Sequence, residues 1–274
     1  MKSRTIFSIV ICIYLSNPGF TQNIHTTTPL SIGEKVEFQS KILKEKRTLN
    51  IYLPQTYSKD SLKTYPVIYL LDGSMDEDFI HISGLVQFGS FSWIKMIPES
   101  IVVGIANVDR KRDFTFPTNN KKDKEAYPTT GRSENFISFI EKELQPLINK
   151  KYKTNSVTTL IGQSLGGLLA TEILFKQPDM FDNYIIASPS LWWDDESLLT
   201  YTPASYNSKK SIYIAVGKEG TIMERVAKEL YDKLKLLNKD NTKLYFEFFE
   251  KQNHGDALHL AVYDAFEKMF KLKN

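Results

Sequence analysis

Thr158-Thr-Leu-Ile-Gly-Gln-Ser-Leu-Gly-Gly-Leu-Leu-Ala-Thr-Glu-Ile-Leu174 is the stretch that decides the fold. An apolar strand-like run ends at Ile161, a tight Gly162-Gln-Ser-Leu-Gly166 turn follows, and a helix rich in small residues begins at once. Glycine accepts backbone angles and close contacts that a Cβ forbids. A G-x-S-x-G turn between a strand and a helix lifts its central hydroxyl clear of the sheet. Ser164 is therefore the candidate nucleophile, with an ordinary strand-to-helix turn as the plain alternative. Gly166, Gly167 and Ala170 let the helix lie close on the sheet.

The segments around the turn alternate between strand and helix. Glu34–Leu43 and Arg47–Leu53 read as an N-terminal hairpin joined by a charged turn. Tyr65–Leu71 and Ser100–Ile105 are continuous apolar runs, as strands covered on both faces are. Apolar residues from Phe136 to Ile148 recur at helical spacing, and residues 107–132 before them read as a long polar loop. Tyr184–Ala187, Ser211–Val216 and Leu244–Phe249 are the remaining strands. Residues 223, 226, 227, 230, 234 and 237 mark an amphipathic helix, and Ala257–Leu272 closes the chain. The alternation predicts an α/β fold, with a mainly parallel central sheet flanked by helices.

The 274 residues, 42% of them hydrophobic, suffice for one large core. Lys2 and Arg4 precede the apolar run Thr5–Leu15 and the breaker Ser16-Asn-Pro-Gly19. That pattern predicts a signal peptide over residues 1–21, export to the periplasm or medium, and one domain over 22–274. An uncleaved anchor is the alternative, although the run is short for a spanning helix. Loss of Lys2 and Arg4 lowers the net charge from +3 to +1, so nothing suggests a nucleic-acid partner. Cys12 is the sole cysteine and lies in that segment, so the mature chain is expected to have no disulfide and no thiolate metal site. No metal motif, phosphate loop or dinucleotide fingerprint occurs, and the chemistry is expected to need no cofactor.

A serine hydroxyl needs a base in reach. Of four histidines, His25 precedes the first strand, His81 reads as lying in a loop, and His259 falls inside the last helix. His254 follows the last strand, at the sheet edge where catalytic loops of α/β folds collect, and is the expected base. The acid should follow Ser211–Val216: Glu219 is placed to orient His254, and Glu224 competes as a helix-start charge. The oxyanion would take the backbone N–H of Leu165 and that of Ser74, or else Gly73, after Tyr65–Leu71. Trp192 and Trp193 are expected to edge the pocket with faces suited to an aromatic acyl group, and Arg110 and Arg112 to pair with an anionic substrate oxygen. Core packing and surface ion pairing are the plain alternatives for these residues.

Further stretches carry a likeness: Arg47-Thr-Leu-Asn-Ile-Tyr-Leu-Pro54, Tyr69-Leu-Leu-Asp-Gly73, Ile97-Pro-Glu-Ser-Ile-Val-Val-Gly-Ile-Ala-Asn-Val-Asp-Arg-Lys-Arg-Asp113, Gly162-Gln-Ser-Leu-Gly-Gly167 and Ser188-Pro-Ser-Leu-Trp-Trp193. With them the chain resembles the esterase branch of the α/β-hydrolase superfamily, above all the siderophore (enterobactin-type) esterases, with feruloyl and acetyl-xylan esterases and mycolyltransferases as relations. Two positions depart from that pattern: Gln163 stands where the family usually has histidine, and Phe114-Thr-Phe-Pro117 where Leu-Thr-Pro is usual. The resemblance implies an exported serine esterase acting through an acyl-enzyme. Its substrate would be a small-molecule siderophore lactone or a carbohydrate-linked hydroxycinnamate or acetate ester. Acyl transfer to a sugar, or a binding protein on a hydrolase scaffold, are the alternatives.

Overall fold

A computed structural model describes residues 26–58 and 62–271. By its contacts the chain divides into two units, Met1–Ser31 and Ile32–Asn274. The expected signal peptide lies outside the described residues, and Thr26–Ser31 form no helix or strand.

The second unit is built on an eight-stranded sheet. Its strands are β1 (Gly33–Gln39), β2 (Lys46–Tyr52), β3 (Tyr65–Leu70), β4 (Ile101–Ile105), β5 (Thr154–Gln163), β6 (Asn183–Ala187), β7 (Lys210–Gly217) and β8 (Thr242–Phe249). They lie in the order β1-β2-β4-β3-β5-β6-β7-β8. β1 and β2 form the antiparallel N-terminal hairpin, β2 is antiparallel to β4, and every other pair is parallel. This is the mainly parallel sheet that the alternation of apolar runs predicts, in the α/β-hydrolase arrangement that the resemblance implies.

The helices fall on both faces. α1 (Phe79–Gly89) follows β3; α2 (Arg110–Phe114) and α3 (Lys121–Ala126) follow β4. α4 (Ser133–Phe139) runs through a π-helical turn at Ile140–Leu144 into α5 (Gln145–Lys151). α6 (Leu165–Lys176), α7 (Trp193–Thr200), α8 (Thr221–Leu236) and α9 (Ala257–Phe270) complete the set. Side chains alternate along a strand, so the inner strands feed two cores. Val67, Tyr69, Leu160, Ile186 and Ile214 face the core that holds Phe136, Leu168, Ile173 and Leu230. Ile68, Leu70, Ile161, Ile185 and Ala215 face Ile82 and Val86 of α1 and Ala261 and Phe266 of α9. At about 1.5–3 kcal/mol for each large apolar side chain buried, these layers outweigh any surface ion pair.

Three expectations need correction. The first hairpin strand stops at Gln39, because Ser40 Oγ–H and the N–H groups of Lys41 and Ile42 donate to the Glu143 carboxylate across the fold. Residues 107–132 are not a plain loop, since Asp109 and Asn120 cap the N-termini of α2 and α3 with their side chains. His81 lies on α1 and not in a loop; Gly84 and Gly89 interrupt the apolar period there.

Candidate active site

Ser164 sits where β5 turns into α6, at φ 59° and ψ −120°, a conformation that costs a non-glycine residue energy. The flanking glycine makes that turn possible: a Cβ on Gly162 would lie 2.4 Å from the carbonyl oxygen of Gly166. Both backbone groups of Ser164 are fastened. Its N–H donates to Ala187 O at 3.1 Å, and its C=O accepts from the N–H groups of Leu168 and Ser190 at 2.9 and 3.0 Å. Its Oγ lies 3.3 Å from Ser190 Oγ. The N–H of Leu165 opens α6, and N–H groups of a first helical turn have no carbonyl within their own helix.

His254 stands on the turn after β8. Its Nδ1 is 2.5 Å from Glu219 Oε2, with the imidazole 47% exposed and the carboxylate side chain 1% exposed. The other Glu219 oxygen, Oε1, accepts from Ser188 Oγ at 2.5 Å and from Gly217 N–H at 2.9 Å. Burial alone pushes the Glu219 carboxyl up; the hydrogen bonds from His254, Ser188 and Gly217 outweigh it and hold the group below its ordinary value. Glu224, the competing acid, is occupied elsewhere: its Oε1 accepts from the N–H groups of Glu219 and Gly220 at 3.0 and 2.9 Å. Asp256 accepts from Asn253 N–H at 2.6 Å.

The two loops are joined by Lys218 N–H donating to Gln252 O at 2.6 Å. Gln163, the residue that departs from the family pattern, donates its amide N–H to His254 O at 2.7 Å. It thereby ties the elbow to the histidine turn.

On the oxyanion side, Gly73 N–H is spent on Ile105 O at 3.0 Å, whereas Ser74 N–H has only a long 3.4 Å contact with Glu77 Oε2. Of the two expected donors, Ser74 is thus the freer. Asp72, at φ 54°, precedes them. The Arg110 guanidinium grips its carboxylate twice, at 2.6 and 2.9 Å, and reaches Gln163 O at 3.3 Å.

Ser164, His254 and Glu219 line one pocket of about 600 Å³ together with Ser190, Tyr127, Trp192, Met223, Lys218 and Asn253. Tyr127 and Trp192 pack at 6.2 Å between ring centroids, and Lys111 Nζ sits 4.7 Å over the Tyr127 ring. Two expected pocket residues lie elsewhere. Trp193 is fully buried, with its indole N–H donating to Phe116 O at 3.0 Å, so it packs in the core and does not edge the pocket. Arg112 is consumed by Glu45, at 2.6 and 2.9 Å, and by Asp113, at 2.7 Å, beside a different cavity. Its guanidinium stabilises the α2 region and is not aimed at the nucleophile. Tyr127, Met223, Lys218, Ser188 and Ser190 escaped the sequence as pocket or site residues. The two serines do lie in the Ser188-Pro-Ser190 motif, but no spacing rule links Ser188 to an acid 31 residues away.

Among the described residues, no group of three or more His, Cys, Asp or Glu could hold a metal ion, and no helix is long and apolar enough to cross a membrane.

The family model described as "Putative esterase" matches residues 40–261. The ferri-bacillibactin esterase BesA of Bacillus subtilis is 30% identical over 267 residues, covering 89% of this chain and 90% of that protein. An IroE-like serine hydrolase from Shewanella oneidensis superposes with a TM-score of 0.75 at 31% identity, over 87% of this chain and 80% of the other. The BES protein of Bacillus cereus gives 0.77 at 29% identity, over 93% and 100%. The chain belongs to the esterase family, with the α/β-hydrolase fold and the activity of a carboxylic ester hydrolase.

Proposed function

We propose that the protein is an exported serine esterase that opens the ester bonds of a siderophore, with Ser164, His254 and Glu219 as nucleophile, base and acid. The observation that carries this is the pocket that Ser164 lines together with a His254 ring already bonded to a buried carboxylate. With Nδ1–H turned to Glu219, the Nε2 of His254 is left to take the Ser164 proton. Oγ then attacks the ester carbonyl, and the N–H groups of Leu165 and Ser74 stabilise the oxyanion. The tetrahedral intermediate collapses, His254 returns the proton to the departing alcohol, and the acyl-enzyme remains. A water deprotonated by His254 releases the acid and restores Ser164.

The substrate class rests on the Bacillus subtilis relative, named for ferri-bacillibactin, and on the pocket wall. Trp192 and Tyr127 offer aromatic faces, and Lys218 offers a positive charge, which suits an anionic aromatic acyl group such as a catecholate. Export rests on Lys2, Arg4 and the apolar run Thr5–Leu15.

The test is hydrolysis of a catecholate trilactone beside a feruloyl sugar ester and a short p-nitrophenyl ester, by the wild type and by Ser164→Ala. The trilactone should be the best substrate by kcat/KM, and the variant should lose about a thousandfold or more on all three. A preference for the feruloyl ester would replace the siderophore assignment, and an active Ser164→Ala would remove the nucleophile.

A further inference from the structure

Ser188 directly follows β6, outside the residues that line the Ser164 pocket, and it is fully buried. Its φ is 43°, in the left-handed region that favours glycine. A serine there carries conformational energy that glycine would not. The one thing serine adds over glycine is a hydroxymethyl group, and that hydroxyl donates to Glu219 Oε1 at 2.5 Å.

The surrounding backbone explains why that contact matters. Ala187 O accepts the N–H of Ser164, and Ser190 N–H donates back to Ser164 O. Ser188 N–H donates to Ala215 O at 2.7 Å, on the strand that leads into Glu219. The Ala187–Ser190 turn therefore touches the nucleophile's backbone on one side and the acid's strand and carboxylate on the other. A carboxylate has two oxygens and can rotate between partners. Ser188 Oγ–H and Gly217 N–H both occupy Oε1, which leaves Oε2 alone for His254 Nδ1.

We infer that Ser188 is a positioning residue: its hydroxyl locks the Glu219 carboxylate in the one rotation that presents a single oxygen to His254, and it fixes that oxygen relative to Ser164 through a shared turn. This rests on the assignment of Glu219 as the acid.

The experiment compares Ser188→Ala, Ser188→Gly, Glu219→Gln and the Ser188→Ala/Glu219→Gln double variant on a p-nitrophenyl ester, with circular dichroism and thermal melting as checks of folding. Both Ser188 variants should lower kcat by about tenfold to a hundredfold, the scale of one charge-assisted hydrogen bond, with KM within about twofold of the wild type. Removing a donor that keeps Glu219 charged should also move the acid limb of kcat/KM to higher pH in Ser188→Ala. The double variant should be no slower than Glu219→Gln, because the hydroxyl acts only through that carboxylate.

Ser188→Gly keeps the turn and relieves its backbone, so it remains informative if the alanine variant fails to fold. Wild-type kcat in Ser188→Gly would overturn the inference and reduce Ser188 to a turn residue. Fully multiplicative losses in the double variant would overturn it as well. Wild-type kcat in Glu219→Gln would sink the acid assignment and this inference together, whereas a slow Glu219→Gln beside fast Ser188 variants would sink this inference alone.

Discussion

At Glu219, burial and hydrogen bonding pull the proton equilibrium in opposite directions, and three donors win. Glu224, five residues on, spends its carboxylate on two backbone N–H groups at the start of α8. The two acids therefore respond differently to loss of charge. Glu219→Gln should lower kcat by about a hundredfold or more, because an amide cannot stabilise the imidazolium and can favour the wrong tautomer. Glu224→Gln keeps an acceptor oxygen for the same two N–H groups and should change kcat by no more than about fivefold. Steady-state kinetics on one ester decides between them, and the reverse ranking would reassign the acid. The sequence favours Glu219 over Glu224 only narrowly, since both follow the same strand; the difference is one of side-chain direction, which spacing does not encode. Gln163 was legible as a departure, but its bond to the His254 carbonyl joins positions 91 residues apart.

At the scale of elements, Asp78 is the N-cap residue of α1, and its side chain makes no capping hydrogen bond. Burial, with the charges of Asp72 and Glu77 adding to it, pushes the Asp78 carboxyl up from 3.8 to about 6. A carboxyl raised in the folded state destabilises the fold where it is charged, fully so above about pH 6, and the penalty fades as pH falls through 6 toward 3.8. Asp78→Asn should therefore raise stability at pH 8, by up to about 3 kcal/mol for a two-unit shift, and leave it unchanged near pH 3. Urea unfolding at the two pH values measures this, and an equal gain at both would mean the charge is not the cause.

The start of α7 makes a second pair of neighbours with opposite duties. Trp193→Ala empties a fully buried site and should cost about 3–5 kcal/mol in the same unfolding measurement. Trp192→Ala should leave stability within about 1 kcal/mol and raise KM for aromatic acyl esters over acetyl esters, as it lines the pocket. Equal stability losses in the two would put both tryptophans in the core. The dipeptide Trp192-Trp193 could be read as aromatic, but which ring faces in depends on the bent backbone that follows it, where Asp194, Asp195 and Glu196 all have positive φ.

Over the whole molecule, what was legible follows from burial on two faces. β3, β4 and β6 are short and wholly or almost wholly apolar, so their existence and order in the chain could be read directly. Their lateral order could not, because β4 lies outside β3 and next to the hairpin, a matter of crossover geometry and not of composition. α1, α2 and α3 were hidden for other reasons. The first has its apolar period broken by Gly84, and the other two are only five and six residues long and held by their caps. The elbow was legible because Gly162 answers to a backbone contact too close for any side chain.

The sheet has two unequal ends. β1 presents Glu34, Lys35 and Glu37 to solvent, with Glu34 paired to Lys151 and Glu37 to both Lys35 and Lys46, a charged border that another strand could join only by burying those charges. β8 is only half covered along its length and leaves Phe248 40% exposed. Self-association of the weakened protein should therefore begin at β8, the strand that leads into the His254 turn. Clumping and loss of the base would then be one event, with turnover fading in step with the first growth of light scattering.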